Sequence, residues 1–265
     1  MARVAVFGAG VMGETLLSGL IRSGRRVDDL LVAERRDDHA ETLRERYGVE
    51  VVSNVEAAAK ADTLVLVVKP QDMGALCDEI SPHIRAGALV VSLAAGITTA
   101  FLEQRLPAGL PVVRVMPNTP ALVDEGMAAV SPGSHCDEAH LAEAESLLRA
   151  VGKVVRVPEK QQDAVTAVSG SGPAYVFYVV ESMIEAGVHL GLPRATASEL
   201  VIQTVFGAAM MLRDTGEHPT VLRENVTSPG GTTAAALRKL EDHKVRAAFL
   251  NALEAARDRS RELGS

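Results

Sequence analysis

The 265-residue chain reads as α/β, with an N-terminal Rossmann-type doubly wound sheet over residues 1–158 and an all-α C-terminal dimerisation domain over residues 159–265. Three observations predict this. Short β-branched apolar runs alternate with helical patterns through the first part of the chain, as βαβ units with a parallel sheet require. A glycine cluster, Gly8-Ala9-Gly10-Val11-Met12-Gly13, joins the first such run to the first helical pattern. From Gln161 onward no strand pattern remains, and the stretches 173–190 and 202–212 are apolar on more than one face. A helix of that kind needs apolar partners on every side, which a second copy of the chain supplies, so a homodimer is the minimum assembly.

Residues 3–7 form the first strand, and Leu16, Leu17, Leu20 and Ile21 mark the helix that Gly24 stops. In this setting Gly8 permits the tight turn, Gly10 lets a pyrophosphate touch backbone, and Gly13 lets helix and strand approach closely. Val11 and Met12 complete the turn and belong to the same candidate site. A second strand, 30–33, ends in Glu34 at about the twenty-residue offset where an acidic side chain meets an adenosine ribose. Dinucleotide binding follows from strand, turn, helix and strand end together. Glu34 is of the type that accepts from a ribose 2′-OH, whereas Arg35 and Arg36 suit a 2′-phosphate. Because the arginines adjoin the strand end, NADP(H) is the preferred cofactor, with NAD(H) left open; the other reading of both arginines is solvated surface charge.

The alternation continues through a helix at 38–47 stopped by Gly48, a strand at 49–52, and a short Ala-rich helix capped by Asn54, a further cofactor candidate. Residues 63–68 are a continuous apolar strand of the kind buried on both faces. Strand ends on the carboxyl side of such a sheet border the cofactor crevice. Val68, Lys69 and Pro70 therefore join the cofactor set, as do Ala94, Ala95 and Gly96 after the strand at 88–93 and Asn118 after the strand at 111–116. For Asn118, turn chemistry between two prolines is an equal alternative. A strand near 127–130, a helix at 137–151 and a strand at 153–157 close the first domain. Helices follow at about 161–168, 173–190, 193–213, 219–225, 229–240 and 243–263, with Pro173, Pro193, Pro219 and Pro229 where a helix tolerates proline.

Lys plus Arg total 27 against 34 Asp plus Glu, a net charge of −7 without a long basic run, which argues against a nucleic-acid partner. Glycines interrupt the first apolar run, unlike a signal peptide, and no window approaches a membrane span; the chain reads as soluble and cytoplasmic. Cys77 and Cys136 form no Cys-x-x-Cys and read as inert thiols. His135, Cys136 and His140 cluster without a fourth ligand nearby in sequence, so no metal is expected.

Within 225–240, Ser228 reads as an N-cap and Pro229 as the first helical residue. Gly230, Gly231 and Thr232 would then present backbone N–H groups at the positive end of a helix dipole, where a carboxylate or phosphate is favoured. Thr232 and Thr233 add hydroxyls. From these residues alone, an anion trap and a well-capped packing helix are both open readings.

These residues resemble those of the pyrroline-5-carboxylate reductases across essentially the whole chain. The likeness lies in Gly8-Ala9-Gly10-Val11-Met12-Gly13, Val68-Lys69-Pro70, Ala94-Ala95-Gly96, Met116-Pro117-Asn118-Thr119-Pro120, residues 169–175, Gly191-Leu192-Pro193 and, most specifically, residues 225–233. The resemblance implies a Rossmann domain, a helical domain that dimerises by interlocking, and rings of dimers in some members. It implies reduction of the cyclic imine of pyrroline-5-carboxylate to proline, the last step of proline synthesis, with NADPH or NADH. By the same resemblance the substrate carboxylate lies beside Ser228 to Thr233, and Thr233 faces the ring nitrogen. A threonine hydroxyl is a poor acid at neutral pH, so water or Glu181 is an alternative proton source; a buried interface ion pair is the other reading of Glu181. Family members favouring NADPH often carry asparagine where this chain has Glu34, while Arg35 matches. A reductase of another cyclic imine and a non-catalytic NADP(H)-sensing scaffold are the alternatives. Hydroxyacid dehydrogenases of similar build carry a lysine on the first helix after the junction, and residues 173–181 contain none.

Overall fold

The computed structural model describes residues 2–263. Its elements run β1 (Val4–Phe7), α1 (Val11–Arg22), β2 (Leu30–Ala33), α2 (Asp37–Tyr47), β3 (Glu50–Val52), α3 (Asn54–Lys60), β4 (Thr63–Leu66), α4 (Pro70–Ile80), β5 (Leu89–Ser92) and α5 (Thr99–Arg105). They continue with β6 (Val112–Met116), β7 (Gly126–Pro132), α6 (Glu138–Leu148), β8 (Gly152–Arg156), α7 (Gln162–Val165), α8 (Gly172–His189), α9 (Arg194–Thr215), α10 (Pro219–Asn225), α11 (Thr232–Asp242) and α12 (Val245–Leu263).

The eight strands form one sheet in the order β3-β2-β1-β4-β5-β6-β7-β8. The first six in that order pair in parallel, β7 returns antiparallel to β6, and β8 runs parallel to β7. Every residue of β1, β2, β4 and β5 is buried, as strands covered on both faces must be. Alternation along β1 divides the core. Val4 and Val6 pack with Leu16, Leu17 and Leu20 of α1 on one face, while Ala5 and Phe7 pack with Met73, Leu76 and Cys77 of α4 on the other. The strand order reverses between β1 and β4, and in an open α/β sheet the ligand crevice opens beyond the carboxyl ends of the strands at that switch point.

Contacts divide the chain into two units. The first extends to Ser171 and takes in the chain again from Ala256; the second is Gly172–Ala255. The change of composition at Pro158 therefore precedes the structural division. Residues after Pro158 stay with the sheet because their polar groups are spent there. Glu159 accepts from the Thr99 backbone N–H (2.7 Å) and hydroxyl (2.6 Å) and from Arg114 (3.3 Å). Gln162, fully buried, donates to the Ser131 hydroxyl at 2.8 Å. The single helix expected at 161–168 is instead α7 followed by a π-helical turn, Thr166–Gly170.

In the second unit, Ala197 and Val201 are the only buried hydrophobic residues among those described, while Phe177, Tyr178 and Phe206 are more than half exposed. Helix α9 overturns the expectation that no window approaches a membrane span: it is 22 residues long, with a mean hydropathy of 1.4 in its most apolar stretch. The reason is local composition, since Glu199 is the sole charge between Arg194 and Arg213.

Candidate active site

The turn after β1 is built by its glycines. Gly8 adopts φ +89°, its N–H donates to the Ala33 carbonyl at 3.0 Å, and a Cβ there would sit 3.1 Å from Val68 Cγ1. A Cβ on Gly13 would collide with the Gly8 carbonyl oxygen, so α1 can lie this close to the turn only with glycine at that position. At Gly10 a Cβ would meet nothing within 4 Å. That open approach faces a helix start without a side-chain cap: the first helical bond is Glu14 N–H to the Gly10 carbonyl (2.9 Å). The amides of Gly10, Val11, Met12 and Gly13 have no acceptor among the described residues, and the positive helix end adds to them. A dinucleotide pyrophosphate fits this cradle in charge and in space.

Beyond β2, the Glu34 carboxylate is nearly buried and accepts from the Arg36 backbone N–H at 3.0 Å, with the Arg36 Nε at 3.5 Å. Arg36 is thus committed to Glu34. Arg35 is exposed and has no hydrogen-bond or ion-pair partner among the described residues. The acidic side chain that would repel a 2′-phosphate is paired, and one guanidinium stands free.

Val68 touches the glycine turn, Lys69 is the exposed N-cap of α4, and Pro70 is that helix's first residue. After β5, Ala94 and Gly96 are buried and Ala95 is exposed, with Gly96 at φ +77°. Asn118 spends both ends of its amide inside the fold, donating to the Ser169 carbonyl (3.1 Å) and accepting from Met127 N–H (2.8 Å). Asn54 is not a cap. Ser53 caps α3, accepting from Glu56 N–H at 3.2 Å, and Asn54 donates to Glu79. His140 completes a capping box with Asp137, and the Cys136 thiol donates to the Val112 carbonyl.

In the second unit the helix mouth begins later than the sequence suggests. Ser228 does not cap and Pro229 is not helical. Residues 228–231 form a turn in which Gly231 N–H donates to the Ser228 carbonyl (3.0 Å), with Gly230 at φ +69°. Proline second and a positive-φ glycine third are the marks of a type II turn. Gly231 then serves as N-cap, its carbonyl taking the Ala235 N–H at 3.1 Å. The amides of Thr232, Thr233 and Ala234, and both threonine hydroxyls, have no partner among the described residues. Glu181 is exposed on α8 and makes no ion pair among the described residues.

One residue escaped sequence reasoning. His39, in the first turn of α2, places Nε2 2.7 Å from the Ala9 carbonyl in the glycine turn. No spacing rule marks it, because the contact joins residues thirty apart across the fold.

Comparison with known proteins reaches the same two regions. Residues 3–96 match the family described as NADP oxidoreductase, coenzyme F420-dependent, and residues 159–263 match the pyrroline-5-carboxylate reductase dimerisation family. A pyrroline-5-carboxylate reductase of Corynebacterium melassecola is 47% identical over 268 residues, covering 100% of this chain and 99% of the relative. The chain belongs to the pyrroline-5-carboxylate reductase family. A solved reductase of this family from Coxiella burnetii superposes with a TM-score of 0.96 at 38% identity, over 100% of this chain and 99% of that one. The Plasmodium falciparum pyrroline carboxylate reductase, solved with NADP bound, gives 0.89 at 31% identity, over 100% and 98%. Membership in this family accounts for the second unit's exposed apolar helices: they lie within the dimerisation match, and the protein is a homo-oligomer.

Proposed function

We propose that the protein reduces the cyclic imine of 1-pyrroline-5-carboxylate to L-proline, the last step of proline biosynthesis, using NADP(H) in preference to NAD(H). The observation that carries this reading is the head of α11, which no side chain caps, with its free amides and free Thr233 hydroxyl, in a chain of this family. A reduced nicotinamide, when bound, supplies the hydride.

The chain's own residues have three tasks. The open amides from Gly10 to Gly13 hold the pyrophosphate, and Arg35 takes the 2′-phosphate while Arg36 neutralises Glu34. Val68, Lys69, Pro70, Ala94, Ala95 and Gly96 border the nicotinamide half at the strand ends; Asn118 braces that rim through Ser169 and Met127, and Asn54 ties α3 to α4 through Glu79. The amides of Thr232, Thr233 and Ala234 take the substrate carboxylate, with Ser228, Gly230 and Gly231 shaping the turn that leaves them free. Thr233 hydrogen-bonds the ring nitrogen. A protonated imine is already electrophilic, so hydride addition to its carbon yields the amine without a strong acid, which suits a threonine at that position. Glu181 is the alternative group for holding that proton. Dimers formed through α8–α11, larger rings of dimers and a cytoplasmic location complete the proposal.

The test is loss of absorbance at the reduced-nicotinamide band on mixing purified protein with pyrroline-5-carboxylate, run in parallel with NADPH and NADH. Rapid loss, faster with NADPH, is expected. No loss with either cofactor, despite measurable cofactor binding, redirects the reading to another cyclic imine.

A further inference from the structure

Residue His39 lies outside every motif of the chain, yet it touches the centre of the glycine turn. Its ring Nε2 is 2.7 Å from the Ala9 carbonyl oxygen. A carbonyl only accepts, so Nε2 carries the hydrogen. The Ala9 carbonyl and the Gly10 N–H belong to one trans peptide plane and point in opposite directions. Holding the carbonyl toward α2 therefore aims the Gly10 N–H away from α2. That N–H has no acceptor among the described residues, and the space beside Gly10 is open.

Glycine at position 10 makes this plane easy to turn over. A peptide flip changes φ of the following residue, and glycine accepts positive φ at no steric cost. Gly10 sits at φ −66° here. Neighbouring contacts hold the rest of the turn: Gly8 N–H is fixed to the Ala33 carbonyl, and Gly13 is wedged against Gly8. The plane between Ala9 and Gly10 has the His39 bond as its own restraint. Helix α2 is itself anchored to α1 at its far end, where Tyr47 (2.8 Å) and Arg46 (2.9 Å) both donate to Glu14 Oε1. The histidine thus acts from a fixed support.

We propose that His39 is a positioning residue for the cofactor pyrophosphate, locking the Ala9–Gly10 peptide with its N–H turned to the phosphate. The proposal rests on reading the glycine turn as the pyrophosphate site. It assigns His39 no contact with cofactor or substrate.

The experiment compares two nearly isosteric variants, His39→Gln, which keeps a donor, and His39→Met, which has none. Dissociation constants for NADPH and NADH are measured by fluorescence titration without substrate, alongside melting temperature, KM and kcat. His39→Met should weaken NADPH and NADH by the same factor, about fivefold for one hydrogen bond, because both carry the pyrophosphate. The KM for the imine and kcat at saturating cofactor should stay at wild-type levels, and His39→Gln should restore most of the affinity. Unchanged cofactor affinity in His39→Met overturns the proposal. So does weakening confined to NADPH, which would mean that the ring acts through the Arg35 loop. A folded His39→Gln no better than His39→Met also overturns it. Because the titration needs no turnover, absence of imine reduction with the expected binding pattern would overturn the proposed reaction and leave the role of His39 standing.

Discussion

At the residue scale, Arg35 and Thr233 are candidate-site side chains that the fold leaves unused. Thr233 is partly exposed, and its hydroxyl has no partner among the described residues, so removing it costs the folded chain little. Thr233→Ala should lower kcat/KM for the imine about tenfold or more, the worth of a hydrogen bond to a charged group, and leave the urea midpoint unchanged. Wild-type kinetics in that variant would remove Thr233 from the site. Arg35→Ala should raise the KM for NADPH about tenfold and spare that for NADH, since the 2′-phosphate is the sole difference between them. Equal effects on both cofactors would mark Arg35 as surface charge. The presence of Glu34, Arg35 and Arg36 was legible in the sequence. Which arginine is spent was not, because Glu34 accepts from the Arg36 backbone, a bond set by how the chain turns after β2.

At the element scale, two glycines of one motif have opposite jobs. Gly13→Ala drives a Cβ into the Gly8 carbonyl, a backbone atom that cannot swing away, and should destabilise the protein by about 1–3 kcal/mol in urea melts. Gly10→Ala meets open space, so its stability should match wild type while affinity for either cofactor falls by about tenfold. Equal loss of stability in both variants would refute the assignment of separate roles. Helix α4 offers a pH test. Burial against the sheet pushes the Cys77 thiol from its ordinary 9.0 up to about 11. Above pH 9 the unfolded chain releases this proton first, so Cys77 lowers stability as pH rises from 9 towards 11. The urea midpoint should fall across that window in wild type and fall less in Cys77→Ala. At the helix mouth, the Pro-Gly pair at 229–230 was a turn signal open to inspection. The competing pattern of a serine before a proline pointed to a cap, and the positive φ of Gly230 decided for the turn.

At the scale of the whole molecule, the second unit lacks a core of its own in a single copy. Phe206 is 58% exposed on α9, within the dimerisation match. A charge placed there would be buried without a partner on association, so Phe206→Glu should shift the protein to monomer in light scattering and abolish turnover. Retention of NADPH binding would show that the first unit is intact, and an unchanged oligomer would place the interface elsewhere. The doubly wound sheet, the glycine turn and the helical second half are legible in the order of residues alone, because apolar periodicity and helix or strand breakers are local properties of the chain. That order also pointed to the family, whose motifs are contiguous blocks. It took the folded chain to show that residues 159–171 stay with the sheet, that the α11 mouth opens at Thr232, and that His39 reaches Ala9. Each of those depends on contacts or backbone angles between residues whose spacing carries no period, and a hydrogen bond across the fold leaves no signature in the order of the residues that make it.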